Sequence, residues 1–488
     1  MAGMLLKETW PMYIGGKPRT STHLREIRDP GTDAVIAAVP LAQREDARDA
    51  VRVAESGAAI AAHMPTHERM RILQECADRL AAQHEAFAEL IARESSKTIR
   101  EARKEVTRCV DTLRLSAEEA RRIGGEVIRF DQSVGSDSRM GYWQRDPVGI
   151  ITAITPFNDP LNLVAHKVGP AIATGNAVIL KPSNDTPLSA LRFAELLYDS
   201  GLPGDVLSVI TGEAQEIGAL LTSAEAVRMV SFTGGLKTGT AIARQAGLKK
   251  IAMELGSNSP VIILADAELD RAVESTVSGT FWAAGQNCLG VQRILVEKRV
   301  YHTVRDQLVA RTEAIRMGDK LNETTDMGPL INSQEATRIE HWVKDAQSRG
   351  GKILTGGYRE GNFYAPTLLD HVPAGTMILE EEVFGPVACL IPVDDLTSAI
   401  AQANRVNYGL QAGVFTRDLH RAFHAIKDLR VGGVMINDSS DYRIDAMPFG
   451  GVKGSGIGRE GVRFAAEAMT EPKVVCFNLS VPQGRNDE

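Results

Sequence analysis

Hydrophobic and polar positions alternate in two different textures along this chain. From 45 to 125, apolar residues recur at three- and four-residue spacing between charged ones, as at Leu80, Phe87, Leu90 and Ile91. That spacing predicts a run of amphipathic helices. From 147 onward, short apolar runs take over: VGIITAIT (148–155), NAVILKP (176–182), VLSVITG (206–212), VRMVSFTGG (227–235) and KIAMELG (250–256), with helix-like pieces between them. Strands apolar on both faces, separated by amphipathic helices, predict a parallel sheet covered on both sides. Residues 148–256 therefore read as a doubly wound unit of the nucleotide-binding type. A second alternation opens at SPVIIL (259–264), includes GVFTRD (413–418) and GGVMIND (432–438), and predicts a second α/β unit reaching about 435.

Between the two textures, 126–146 shows partial alternation and β-prone residues, which predicts a hairpin or extended arm. Near the end, VVCFNLS (474–480) reads as a lone strand available to a partner subunit. The fold expectation is α/β: a doubly wound cofactor unit from 1–125 and 147–256, a catalytic α/β unit from 257–435, and a small β element for oligomerisation from 126–146 and 470–488.

Composition narrows the function. The 488 residues exceed one ordinary core, and 43% hydrophobic with 24% charged is the balance of a soluble globular protein. No apolar run reaches the ~18–20 residues of a membrane span, and the start lacks a signal-peptide pattern, so a cytoplasmic protein is expected. A net charge of −7 argues against a nucleic-acid partner. The five cysteines are widely spaced, with no C-x-x-C and no Cys/His cluster. Neither a metal site nor a disulfide framework is expected.

Five places carry candidate chemistry. Cys288, in FWAAGQNCLGVQR, lies in a turn just past a helix that Asp266 would cap and Gly285 would end. A thiol there is either reactive or simply inert. Glu254 closes an apolar strand directly before the Leu255-Gly256 pair, at the sheet edge where open α/β folds keep ligands; a loop ion pair is its plainer role. Asn158 follows another strand, where its amide could serve an oxyanion or merely cap a helix. In SFTGGLKTG (231–239), strand, Gly234-Gly235 and helix aim backbone N–H groups at an anion without being a strict dinucleotide fingerprint. Lys181, at the end of NAVILKP, could reach a ribose or phosphate, or sit solvated in a loop.

Taken in order, ITPFNDPLN, GNAVILKPS, SFTGG, MELGSNSP, GQNC, EEVFGPV, NYGLQAGVFTRD and MPFGGVKGSGIGREG run through nearly the whole chain. Together they resemble the aldehyde dehydrogenase superfamily of the non-acylating type. The resemblance implies Cys288 as nucleophile, Glu254 as general base, and Asn158 with the Cys288 N–H as oxyanion hole. It implies NAD or NADP as cofactor, NAD slightly favoured, along Thr155, Pro156, Lys181, Ser183 and Asn184, with Gly234 and Gly235 by the pyrophosphate. Glu382 would hold the nicotinamide ribose and Phe384 would flank the ring. The implied reaction is attack of the thiolate on an aldehyde, loss of hydride to the nicotinamide, and hydrolysis of the resulting thioester to the acid. An acylating, coenzyme A-dependent enzyme and a non-catalytic binding protein on the same fold are the alternatives. A homodimer or homotetramer is expected.

Two positions depart from the pattern. Asn184 stands where NAD-specific relatives often carry Glu, which removes a charge that would repel a 2′-phosphate. Gly235 stands where many relatives carry Ser. Positions 159, 162, 163 and 166 share one helical face. Relatives acting on fatty or aromatic aldehydes line the substrate tunnel with bulky apolar residues on that face, whereas here it reads Asp159, Asn162, Leu163 and His166. This suggests a small hydroxylated or acidic aldehyde, with Arg108 and Arg443 as bases for an acid tail. If His166 lines the pocket, its titration would weaken anion binding as pH rises.

Overall fold

The computed structural model describes residues 7–479. Its largest element is an eight-stranded sheet, in the spatial order Lys17–Arg19, Met12–Ile14, Leu207–Val209, Ala177–Lys181, Ile150–Ile154, Val227–Thr233, Lys250–Glu254 and Gly456–Ile457. The strands from Leu207–Val209 to Lys250–Glu254 are parallel, and both flanks are closed by antiparallel partners. Ile150–Ile154 and Ala177–Lys181 are buried almost throughout, because helices cover both faces. From Ile150–Ile154 the chain builds outward in one direction, then returns to add Val227–Thr233 on the other side. The strand order thus reverses between Ile154 and Thr233, and open α/β sheets present ligand crevices at such a reversal.

A second, seven-stranded sheet runs Lys352–Thr355, Thr367–Asp370, Val387–Val393, Val291–Glu297, Ser259–Ile263, Gln411–Phe415 and Gly433–Ile436. Only the Lys352–Thr355 edge is antiparallel. The amphipathic region folds as helices Arg44–His63, Thr66–Ala82, His84–Glu94 and Ile99–Arg122. The last begins at Thr98, which forms a reciprocal capping box with Glu101. Short strands from Met12 to Pro40, which lack a clear two-residue alternation, precede them.

The C-terminal strand is not alone. Thr470–Asn478 pairs antiparallel with Arg139–Pro147 of the same chain along its full length, and Glu126–Ile128 completes a three-stranded sheet. Its outer edge remains open, and Val127, Met140, Tyr142, Val474 and Phe477 are exposed on it. Residues 480–488 of the expected oligomerisation element lie outside the described residues, as do 1–6 of the expected cofactor unit. Among the described residues, no helix is long and apolar enough to cross a membrane.

The approach to Cys288 differs from the expected simple helix end. The helix spans Leu269–Phe281 after Glu268, and Asp266 does not cap it. Instead the Asp266 carboxylate accepts from Thr416 Oγ1 (2.7 Å) and from the backbone N–H groups of Arg417 and Asp418, which ties the two helix starts together. Ala283, Ala284 and Gly285 then take consecutive left-handed conformations, φ 51°, 54° and 69°. The buried Glu101 carboxylate accepts the Ala283 N–H at 2.8 Å and holds this turn in place. A Cβ at Gly285 would lie 2.1 Å from the Gly385 carbonyl oxygen. Gly285→Ala is therefore expected to destabilise the protein by roughly 2–3 kcal/mol, read as a lowered thermal midpoint. A variant that melts with the parent would show that the turn relaxes freely.

Candidate active site

The turn delivers Cys288 to the wall of a cavity of about 500 Å³, which Asn158, Asp159, Leu163, Trp282 and Arg443 also line. Three other cysteines are buried and Cys476 is exposed on the terminal strand, so Cys288 is the one that faces this cavity. Leu289, Leu410 and Phe449 pack beside it. Burial pushes its thiol up to about 12, with the nearby carboxylates of Glu382, Glu254 and Glu460 adding to this and Arg443 opposing it. The resting group is a neutral thiol that must lose its proton to become a nucleophile.

Glu254 ends its strand buried, and neither carboxylate oxygen has a hydrogen-bond partner. Burial first, then the charge of Glu460, raises its pKa well above the carboxylate range. Glu460 shows the opposite behaviour. Although burial opposes it, Lys167 and Arg443 hold it well below that range. Lys167 Nζ donates to Glu460 Oε1 (3.1 Å) and to Ser231 Oγ (3.1 Å), and Arg443 Nη2 donates to Glu460 Oε2 (3.2 Å). The Arg443 guanidinium also lies 3.8 Å from the centre of the Phe449 ring. Two neighbouring carboxyls with pKa values driven apart can divide acid and base roles between them.

Sequence reasoning did not single out Lys167 and Glu460. The available signal was a lysine inside the otherwise apolar LVAHKVGPAIA, since a buried charge demands a counter-charge.

The expected polar face divides. Asp159 and Leu163 line the cavity, but Asn162 and His166 are fully buried behind it. The helix starts only at Asn162, with Asp159 in the preceding loop. Asn162 Nδ2 (3.2 Å) and His166 Nε2 (2.8 Å) both meet Asp445 Oδ1, and Asn162 Oδ1 accepts from Thr112. Burial, then Arg443, lowers the His166 pKa. The condition for the expected loss of anion binding through His166 titration is not met, because the ring is buried behind the pocket wall and does not line it.

What His166 and Asn162 do is hold Asp445, which in turn grips Arg108 through two hydrogen bonds, 3.2 Å from Nε and 2.7 Å from Nη2. Burial would raise Asp445, yet these partners keep its carboxyl well below the usual range. Arg108 lines the cavity, with Nη1 3.6 Å from Asp159 Oδ2 in a longer ion pair. Asp159 is also paired with Lys97, which shares its one charge with Glu105 at 2.6 Å.

The residues at the sheet reversal suit a nicotinamide dinucleotide. The buried hydroxyls of Thr155 and Thr233 lack partners at the ends of the two strands that flank it. Gly234 commits its N–H to the Glu254 carbonyl (3.0 Å), so donors toward an anion come from the start of the helix Leu236–Ala246 beyond it. Gly235 has open space around it, so its small size is not imposed by packing. Lys181 is buried, and burial lowers it to about 8. Its Nζ donates to Asn184 Oδ1 at 3.1 Å. Ser183 Oγ accepts from the Asp185 N–H, within the turn. Pro156 follows Thr155 in the half-buried loop that leads to Asn158. Glu382 accepts the Ser257 N–H at 2.9 Å, and burial raises it to about 7. A Cβ at Gly256 would lie 2.1 Å from Glu382 Oε2, so a larger residue there would displace that carboxylate. Phe384 packs edge-on against Phe157, ring centres 5.6 Å apart.

A doubly wound sheet, a cavity lined by a cysteine thiol and a buried carboxylate without partners are the architecture of an α/β enzyme. Comparison with known proteins agrees. The profile described as the aldehyde dehydrogenase family matches residues 17–475. Aspartate-semialdehyde dehydrogenase 1 of Pseudomonas canavaninivorans is 50% identical, over 93% of this chain and 96% of its own. The 3-sulfolactaldehyde dehydrogenase of Priestia aryabhattai is 42% identical, over 98% and 100%. Among solved structures, aldehyde dehydrogenase 21 from Physcomitrella patens, in complex with the reaction product succinate, superposes with TM-score 0.94 at 39% identity, covering 97% of this chain and 99% of that one. The NADP-dependent glyceraldehyde-3-phosphate dehydrogenase from Bacillus halodurans, complexed with NADP, gives 0.95 at 35% identity, covering 97% and 100%. The chain belongs to the aldehyde dehydrogenase family, and it is an aldehyde dehydrogenase that works with a nicotinamide cofactor.

Because the Cys288 thiol is raised, its reaction with iodoacetamide in the cofactor-free protein is expected to accelerate about tenfold per pH unit from 7 to 9. A rate that levels off by pH 8 would mean the thiolate already exists at rest.

Proposed function

We propose that this enzyme oxidises a small aldehyde with an acidic tail to the carboxylic acid. The observation that carries this reading is Arg108, clamped by Asp445 through Nε and Nη2 on the wall of the cavity that contains Cys288, with Nη1 making no hydrogen bond and only the longer 3.6 Å approach to Asp159. A guanidinium fixed in this way binds carboxylate or sulfonate without first losing side-chain freedom. Arg443 adds positive charge on the same wall. The substrates named for two relatives, a semialdehyde of aspartate and a sulfolactaldehyde, carry such groups.

In this reading Cys288 loses its proton to solvent and the sulfur attacks the aldehyde carbon. Asn158 Nδ2 and the Cys288 N–H donate to the oxyanion, worth roughly 3–4 kcal/mol. Thr155, Pro156, Lys181, Ser183, Asn184, the Gly234-Gly235 turn, Glu382 and Phe384 hold the dinucleotide, whose nicotinamide supplies the hydride acceptor when bound. Glu254 then removes a proton from water as it attacks the thioester. Burial without a partner raises its affinity for a proton, as a base requires. NAD is the favoured cofactor.

Residues 1–125 and 147–256 form the cofactor unit and 257–435 the catalytic unit. The arm of 126–146 and 470–488 carries the subunit contact of a homodimer or homotetramer, supported by its open edge and exposed apolar residues. The location is cytoplasmic.

Arg108→Gln is expected to raise KM for an acid-tailed aldehyde more than about tenfold, with little change for propanal; equal effects on both would remove the anion-anchor role. Glu254→Gln is expected to release one equivalent of reduced nicotinamide per site in a burst and then stall at the thioester. Steady turnover at the parent rate would remove Glu254 as base.

A further inference from the structure

Asn184 leaves the adenosine end of the expected cofactor site without the acidic side chain that sorts NAD from NADP. The structure supplies a carboxylate from elsewhere. Glu213, in the loop after Leu207–Val209, places Oε2 3.1 Å from Asn184 Nδ2, and Asn184 Oδ1 in turn accepts from Lys181 Nζ at 3.1 Å. The other Glu213 oxygen accepts from Arg25 Nη1 at 2.9 Å, and Arg25 Nη2 reaches Asp185 Oδ1 at 2.9 Å. Arg25 comes from the Leu24–Arg28 strand, which lies outside the doubly wound sheet. A chain of four polar side chains from three segments thus ends at Lys181, which is buried at this sheet edge.

We infer that Glu213 and Arg25 are a matched pair that sets which 2′-substituent on the adenosine ribose this enzyme accepts. The inference rests on the reading of Lys181 as the ribose contact. A carboxylate at that place accepts from the 2′-hydroxyl and repels a 2′-phosphate, and a guanidinium does the reverse. Here the two are bonded to each other, so neither acts at full strength. With Glu213 and Arg25 about 43% and 35% exposed, their bond contributes little to folding, which leaves both free to be tuned by substitution. Asp185 holds Arg25 from the far side and keeps its guanidinium from turning fully toward a phosphate. The native enzyme therefore favours the 2′-hydroxyl and still tolerates the 2′-phosphate.

The test is calorimetric binding of ADP-ribose and 2′-phospho-ADP-ribose to the full-length enzyme. Glu213→Gln should shift the ratio of dissociation constants toward the phosphorylated ligand by roughly tenfold, and Arg25→Gln should shift it the opposite way. Lys181→Met should weaken both ligands together. If Lys181→Met weakens both while the ratio stays fixed in the other two variants, the pair does not select and the inference is overturned. If Lys181→Met leaves both constants unchanged, the ribose is not held there, and the site reading falls along with the inference.

Discussion

Ionised side chains behind the reactive cavity are buried together with their counter-charges, and the rest of the site depends on that pairing. Lys167 and Arg443 flank Glu460, Lys97 bridges Glu105 and Asp159, and Arg108 is clamped to Asp445. An unpaired ion in such surroundings would cost several kcal/mol. Glu254 is the exception, buried with no partner for either oxygen. A carboxyl left in that condition changes protonation more readily than any of its neighbours.

Much of this arrangement was legible in the sequence, and the limits follow from what local patterns contain. Apolar runs and helical spacing describe one segment at a time, so the strands at 150, 177, 227 and 250 and the helices of 45–125 could be read directly. Glu254, Asn158 and Cys288 could be read because each follows a recognisable element end. A helical wheel places Asn162 and His166 on one face, yet it does not say which neighbour that face meets. Here it meets Asp445, nearly 300 positions away. The Lys167–Glu460 pair likewise joins residues 293 apart and leaves no local periodicity. Asp266 was legible as an acid before a helix, but its partners come from 416–418, a segment that only the second sheet brings near.

The turn at Ala283–Gly285 shows how local strain is used. Three left-handed residues in a row are unfavourable, and the chain accepts them because Glu101, on a helix distant in sequence, satisfies the turn from below. The position of the Cys288 sulfur is thereby tied to the helix Ile99–Arg122. Arg108 lies on that same helix, so the turn leading to Cys288 and the proposed anion anchor are both fastened to one element.

The pairing of Thr470–Asn478 with Arg139–Pro147 has a consequence for how the molecule is made. The two strands are separated by more than 320 residues at every point of their register. On the ribosome, the Arg139–Pro147 strand emerges long before its partner exists, and it must wait with an unsatisfied edge while the intervening sheets fold. Gly456–Ile457, which closes the first large sheet, arrives nearly as late. Nascent chains thus cannot complete either sheet until these late segments have been made. Any assembly through the arm is in this way postponed until Thr470–Asn478 has emerged, and chains truncated before that strand are excluded from it.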